Sequence, residues 1–161
     1  MHPNTEKSNP SISKFFQAEP PTTEGSGWIS YDPEGKTKIK LLAVDEVNTS
    51  YDALLWLAAD STFGAGRHSH GGETYVYVLD GGYDLRSFTD HKDKIGTTTR
   101  YNKGDFVYQP LGQIHEEFLL GEDTLLYISN RNNNTIYEAF DEDGNVVATQ
   151  LLAELQDMIK T

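Results

Sequence analysis

From residue 28 onward, short stretches rich in Val, Ile, Thr, Tyr and Leu are separated by Gly, Asp and Asn turns every 8 to 12 residues or so. This spacing is typical of antiparallel strands in a sandwich or barrel. The turns at 80–82 and 141–144 contain residues that tolerate the positive φ of hairpins. The pattern predicts ten strands, over residues 28–31, 37–44, 53–59, 74–80, 83–88, 97–102, 105–109, 117–120, 124–129 and 135–140.

The two ends of the chain follow other patterns. Residues 1–27 contain four of the six prolines and no sustained apolar period, which predicts a flexible tail before a single domain over 28–161. Near the C-terminus, Thr149 is a candidate helix cap, and the sequence predicts a helix over 150–160. The apolar stripe of this helix should pack on the barrel or on a second subunit. The stripe consists of Leu151, Leu152, Leu155, Met158 and Ile159.

Composition narrows the classes of function. The chain of 161 residues has 13 basic and 25 acidic residues, and its formal net charge of −12 disfavours nucleic acid and membrane surfaces as partners. No apolar run approaches the roughly 18 residues of a membrane span. The absence of cysteine excludes disulfides and thiolate chemistry. Residues 1–16 lack the apolar segment of a secretory signal, so we expect a cytoplasmic protein.

Three of the five histidines fall in two segments that suit a metal site. His68 and His70 are separated by one residue, which on an extended chain places both imidazoles on one face. A third ligand must come from another part of the fold, and His115 fits because Pro110 and a glycine turn precede it. His91 lies in a polar turn at 89–94, where we expect a solvated side chain, and His2 lies in the tail.

Both segments resemble the sequence motifs of the cupin family. Residues 104–115 match each position of the second cupin motif, which is a glycine, five residues, Pro-x-Gly, two residues and a histidine. His68, His70 and Gly81 have the spacing of the first motif, but Thr74 stands where metal-binding cupins commonly have a glutamate ligand. The resemblance implies an all-β, single-domain cupin, a double-stranded β-helix or jelly-roll barrel with a short C-terminal helix. It also implies one metal ion on the three histidines.

Within that family, the chain resembles a three-histidine group that includes acetylacetone-cleaving dioxygenase and 2,4'-dihydroxyacetophenone dioxygenase. The glycines after His70, the missing glutamate and the segment 136–147 carry this likeness. It implies an Fe(II) dioxygenase that cleaves a carbon–carbon bond of a small β-diketone or hydroxyketone with O₂. Histidines also suit Zn, Ni and Cu. Cupins commonly assemble, so we expect a homodimer or homotetramer.

Two further residues are candidates near the metal. Alternation places Thr74 on the inward face of its strand, so Glu73 should face away unless the glycines before it form a bulge. Gln109 precedes Pro110 where the look-alikes often have glutamate, and its amide is a candidate to orient a ligand or substrate.

The chemistry expected of such a site depends on its charge. Three neutral imidazoles would leave a divalent ion its full charge, which would outweigh scattered surface carboxylates screened beyond about 8 Å and favour a chelating enolate. A non-catalytic zinc or ligand sensor, resembling the cupin half of zinc-dependent anti-sigma factors, is the main alternative. A metal-assisted isomerase or hydrolase is a third possibility.

Overall fold

The computed structural model describes residues 27–119, 121–132 and 134–160. Residues 1–26 of the predicted tail, with His2, lie outside this part. The described chain forms twelve strands and one helix: β1 (Trp28–Ser30), β2 (Thr37–Asp45), β3 (Ser50–Leu57), β4 (His68–Ser69), β5 (Glu73–Asp80), β6 (Gly82–Phe88), β7 (Thr97–Asn102), β8 (Phe106–Gln109), β9 (Ile114–Leu119), β10 (Thr124–Arg131), β11 (Thr135–Phe140), β12 (Val146–Leu151) and α1 (Leu152–Lys160). This helix is neither long nor apolar enough to cross a membrane.

The strands form two six-stranded antiparallel sheets. The strand order is β1-β2-β3-β10-β5-β8 in sheet A and β12-β11-β4-β9-β6-β7 in sheet B. Both sheets contribute to one hydrophobic core, which contains Ile39 and Val76 from sheet A and Leu85 and Ile136 from sheet B. The all-β fold with a short C-terminal helix, predicted from the spacing of apolar stretches and turns, is therefore confirmed.

Alternation along the strands sets which side chains reach the interior. In β5, Thr74, Val76 and Val78 are buried while the residues between them are only half-buried, as the sequence predicts. In β8, Val107 and Gln109 are buried, and the side chains of Phe106 and Tyr108 are exposed on the outer face. The polar residues Thr74 and Gln109 lie opposite each other in the β5–β8 pair, facing inward.

The C-terminal region differs from the prediction. Thr149 does not cap a helix, because it lies in β12 and pairs with Glu138 of β11. The helix begins at Leu152, where the Glu154 carboxylate accepts a hydrogen bond from the Leu151 amide at 2.7 Å and so serves one of the unpaired amides of the first turn. Leu152 and Leu155 are buried in the core, so the helix packs on the barrel.

Candidate metal centre

The centre of sheet B brings three histidines together. β4 pairs with β9 so that His68 lies opposite His115, and His70 follows immediately after β4. The nearest ring nitrogens of the three side chains all lie within 4.8 Å of one another. His68 and His115 are 2% and 0% exposed. The arrangement therefore gathers three imidazoles from two distant segments at one buried point.

Backbone carbonyl groups fix the orientation of each ring. The Nδ1 atoms lie 2.8 Å from the Gly66 oxygen for His68, 2.7 Å from the Ile136 oxygen for His70 and 2.9 Å from the Gln113 oxygen for His115. A carbonyl oxygen only accepts, so each Nδ1 carries the proton and each Nε2 presents a lone pair. His115 Nε2 is buried without a hydrogen-bond partner. The three oriented lone pairs, one of them on the unpartnered His115 nitrogen, fit a metal ion. Backbone carbonyl groups accept hydrogen bonds from the other nitrogen of each ring.

Burial also keeps these rings neutral. Desolvation lowers the pKa of His68 to about 4, and it lowers the pKa of His70 to about 4 with a smaller contribution from the neighbouring His68. Desolvation, together with His68 and His70, holds the pKa of His115 well below its usual value. At neutral pH all three rings are in the deprotonated form that metal ions bind.

A carboxylate that the sequence analysis missed lies beside the histidines. Glu117 lies on β9 two residues after His115 and therefore on the same face. Its carboxylate oxygens are 3.9 Å from His68 Nε2 and 3.8 Å from His115 Nε2. Burial raises the pKa of Glu117. The threonine at position 74 had suggested a site built of neutral imidazoles alone. The structure instead has the Glu117 carboxylate beside them.

An apolar cavity opens from the histidines into the barrel. Its volume is about 60 Å³. Aliphatic side chains from both sheets line it, among them Ile39, Leu55, Val76 and Ile136. The Tyr137 ring stacks on His68 with centroids 4.8 Å apart. The arrangement gives the histidine cluster a small, mainly apolar space with one aromatic wall.

Two aromatic residues lie between this cavity and the surface. Phe63 packs between Tyr137 and Tyr31, with ring centroids 6.5 Å and 5.3 Å away. The Tyr31 hydroxyl donates a hydrogen bond to Gln150 Oε1 at 3.1 Å. Tyr31 and Phe63 also border a surface cleft of about 520 Å³, so this pair stands between solvent and the histidines.

Comparison with known proteins identifies the family. The family model described as the ChrR cupin-like domain matches residues 21–134. This chain belongs to that cupin family. The resemblance inferred from the two histidine motifs is thus confirmed. A search of curated proteins finds no significant match for this cupin.

Solved structures share the fold of this cupin. An RmlC-like cupin protein from Ralstonia eutropha JMP134 is 19% identical, with 91% of this chain and 88% of that chain covered and a TM-score of 0.66. An acetylacetone dioxygenase from Acinetobacter johnsonii is 14% identical, with 89% and 92% covered and a TM-score of 0.62. A candidate acetylacetone dioxygenase from Methylibium petroleiphilum PM1 is 18% identical, with 89% and 95% covered and a TM-score of 0.66. At these identities the likeness establishes the fold.

The two other predicted site residues, Gln109 and Glu73, differ in their positions relative to the three histidines. Gln109 is 2% exposed, and its Nε2 lies 3.4 Å from Glu117 Oε1, so it contacts the site through that carboxylate. Glu73 is not brought into the cluster. Its carboxylate accepts hydrogen bonds from the hydroxyl groups of Tyr75 and Tyr108, at 3.3 Å and 2.8 Å, on the outer side of sheet A. Thr74 points inward instead and accepts a hydrogen bond from the Asn130 amide at 2.7 Å.

His91 is not the solvated side chain that its polar turn suggested. Its ring makes an edge contact with Phe140 at 4.6 Å, and its Nδ1 is buried without a partner. The turn that contains Gly144 approaches the ring so closely that a Cβ there would lie 2.7 Å from His91 Cγ. Contacts between distant loops, which local polarity does not reveal, partly bury this histidine.

Proposed function

We propose that this cupin is a metal-dependent dioxygenase that cleaves a carbon–carbon bond of a small β-diketone or hydroxyketone, with Fe(II) held by His68, His70 and His115. The observation that carries the proposal is the convergence of three Nε2 lone pairs, each oriented by a backbone carbonyl, at a buried apolar cavity. The fold shared with an acetylacetone dioxygenase supports the choice of substrate class.

The donor set suits iron but does not distinguish it from Zn, Ni or Cu. Bound Fe(II) would supply Lewis acidity toward the substrate oxygens and electron transfer to O₂. The three imidazoles would hold the ion from one side, because all three rings approach from sheet B and its flanking loop. The opposite side, where the cavity lies, is left for the carbonyl compound.

The cavity determines which substrates this chain can hold. At about 60 Å³ it is far smaller than the roughly 300–1,000 Å³ of drug-sized sites. Its aliphatic walls make the space beside the histidines mainly apolar, and Tyr137 forms a flat side against which a planar dicarbonyl can pack. Gln109 Oε1 is buried without a partner in this lining, so it is placed to accept a hydrogen bond from an enol or hydroxyl hydrogen.

An oxygen-consumption assay tests the function. Protein loaded anaerobically with Fe(II) should consume O₂ when β-diketones or hydroxyketones are added, and cleaved products should appear in equal amount. The His115→Ala variant should lose both bound iron and O₂ uptake, because it removes one of three ligands. His91→Gln, which changes a histidine outside the cluster, should retain both. Oxygen uptake that persists after the metal has been removed from the wild-type protein would contradict the proposal.

Glu117 favours a second candidate function, a non-catalytic metal-binding cupin such as a zinc sensor. Structural zinc sites use four protein ligands, whereas catalytic sites keep an open position. Three histidines and a carboxylate supply four donors within a buried site. Tight zinc binding without turnover under any iron loading would favour this function over the dioxygenase.

A further inference from the structure

We propose that Glu117 is a fourth, anionic ligand of the metal ion, supplied by β9 in place of the glutamate that Thr74 replaces in the first cupin motif. The inference rests on the metal-binding part of the proposed function and extends the ligand set beyond the three histidines. Glu117 follows His115 by two residues on one strand and so faces the same interior point.

The charge of Glu117 favours a metal ion beside it. Glu117 is 17% exposed, and its only ion-pair contacts in the described part of the chain are with the rings of His68 and His115. No lysine or arginine side chain pairs with the carboxylate in that part of the chain. A buried carboxylate is costly unless it is paired or bound to a metal. A divalent cation among the four side chains would satisfy the carboxylate and the unpartnered His115 Nε2 together.

The distances from Glu117 to the histidines also suit a shared ion. Ligand atoms that each lie roughly 2.0–2.2 Å from one ion are separated by between about 3 and 4.3 Å, according to the angle between them. The Glu117 oxygens lie 3.9 Å from His68 Nε2 and 3.8 Å from His115 Nε2. Both separations fall within that span, so the carboxylate lies close enough to His68 and His115 to share an ion with them.

The surrounding chain leaves room for the Glu117 carboxylate and holds it there. The Glu117 amide donates to the Gly64 carbonyl at 2.7 Å, which ties β9 to the loop before β4. A Cβ on Gly64 would collide with Glu117 Oε2, so glycine makes the space for this oxygen. The Gln109 amide lies 3.4 Å from the other oxygen, the kind of hydrogen bond that metal-ligating carboxylates usually receive.

Metal titration of the full-length chain tests the ligand role. The isosteric Glu117→Gln variant should bind Zn(II) at least about tenfold more weakly in competition with a chromophoric chelator. It should also change the visible absorption of the Co(II)-loaded protein, because a direct ligand sets the coordination geometry. Glu116→Gln is the matched control, since Glu116 faces the other way on β9 and pairs with Arg86 at 3.2 Å. Its affinity and Co(II) spectrum should equal those of the wild type.

Three results would overturn the inference. One is an unchanged affinity and Co(II) spectrum in Glu117→Gln. Another is a weaker affinity with an unchanged spectrum, since Glu117 would then act through its neighbours. If circular dichroism shows that Glu117→Gln does not fold, Glu117→Asp is tested in its place. The third result is then a Zn(II) affinity and a Co(II) spectrum in Glu117→Asp that both equal those of the wild type. A shortened carboxylate that ligates should instead alter the spectrum.

The two proposals can fail separately. If the Zn(II) affinity and Co(II) spectrum depend on Glu117 but Fe(II)-loaded protein consumes no O₂ with any carbonyl substrate, the dioxygenase is wrong and the ligand role stands. If the wild type cleaves a diketone while Glu117→Gln binds metal as the wild type does, the dioxygenase stands and the ligand role is wrong.

Discussion

Burial of the three histidines makes the stability of the metal-free protein depend on pH. The pKa of His68 and of His70 is about 4 in the folded chain against an ordinary 6.5, so between these values the unfolded chain binds more protons. Folding stability therefore falls as the pH drops through this window and is regained as the pH rises. Glu117 acts in the opposite direction, because its pKa is raised, but it is one group against three histidines.

We expect the free energy of unfolding of chelator-treated protein to fall by a few kcal/mol between pH 7 and pH 4.5, since one pKa unit corresponds to about 1.4 kcal/mol. Urea unfolding at several pH values measures this change. The His68→Gln variant should show a shallower dependence, because one of the three groups is removed. Surface aspartates such as Asp93, whose pKa backbone hydrogen bonds lower to about 2, lose their contribution only at more acid pH. A stability that is flat or rises toward pH 4.5 would contradict the expected sign.

The sequence predicted the three histidines of the site but not the Glu117 carboxylate beside them. Two motifs with fixed spacing single out His68, His70 and His115, and the structure brings these side chains together. Glu117 was overlooked because the predicted strand began at residue 117, after the histidine. The observed β9 begins at Ile114. Once His115 and Glu117 belong to one strand, simple alternation places both on the same face.

Among the elements, the terminal helix packs on the core through Leu152 and Leu155. Leu155 is fully buried in the core that both sheets form, whereas the residues on the opposite face of the helix are exposed. Truncating it leaves a cavity as well as lost apolar contact. We expect Leu155→Ala to lower the free energy of unfolding by about 2–5 kcal/mol in urea denaturation. Leu111→Ala, the same truncation at a side chain that is 65% exposed, should cost less than about 0.5 kcal/mol. Similar losses in both variants would show that the helix does not contribute to the core.

The strands show where pattern reasoning succeeds and where it fails. All ten predicted strands are present. Apolar residues that recur with period two identify strands such as β5 and β8, whereas β7 has no such period and is marked by the glycine before it. The sequence pattern does not predict β4 and β12. β4 has two residues, too few for any period, and is defined by its pairing with β9 and β11. β12 is an exposed edge strand without buried alternation, and the leucines at its end continue into the helix.

At the scale of the whole molecule, a bound ion would cross-link parts of sheet B that are far apart in sequence. β4 and β9 supply His68 and His115, and the ring of His70 is tied to the Ile136 carbonyl of β11. These three strands are consecutive neighbours at the centre of the sheet. Because the unfolded chain has no preformed site, metal binding contributes directly to the stability of the fold.

Metal loading should therefore raise the melting temperature of the entire domain. At a free metal concentration 100 times the dissociation constant, binding adds about 2.7 kcal/mol. For a chain of this size that corresponds to a rise of about 5–10 °C, measurable by calorimetry with and without chelator. The His115→Ala variant should show little or no rise, because its site lacks the ligand from β9. An equal rise in both proteins would place the stabilising ion elsewhere, on one of the many surface carboxylates of this chain of net charge −12, and not among strands of sheet B.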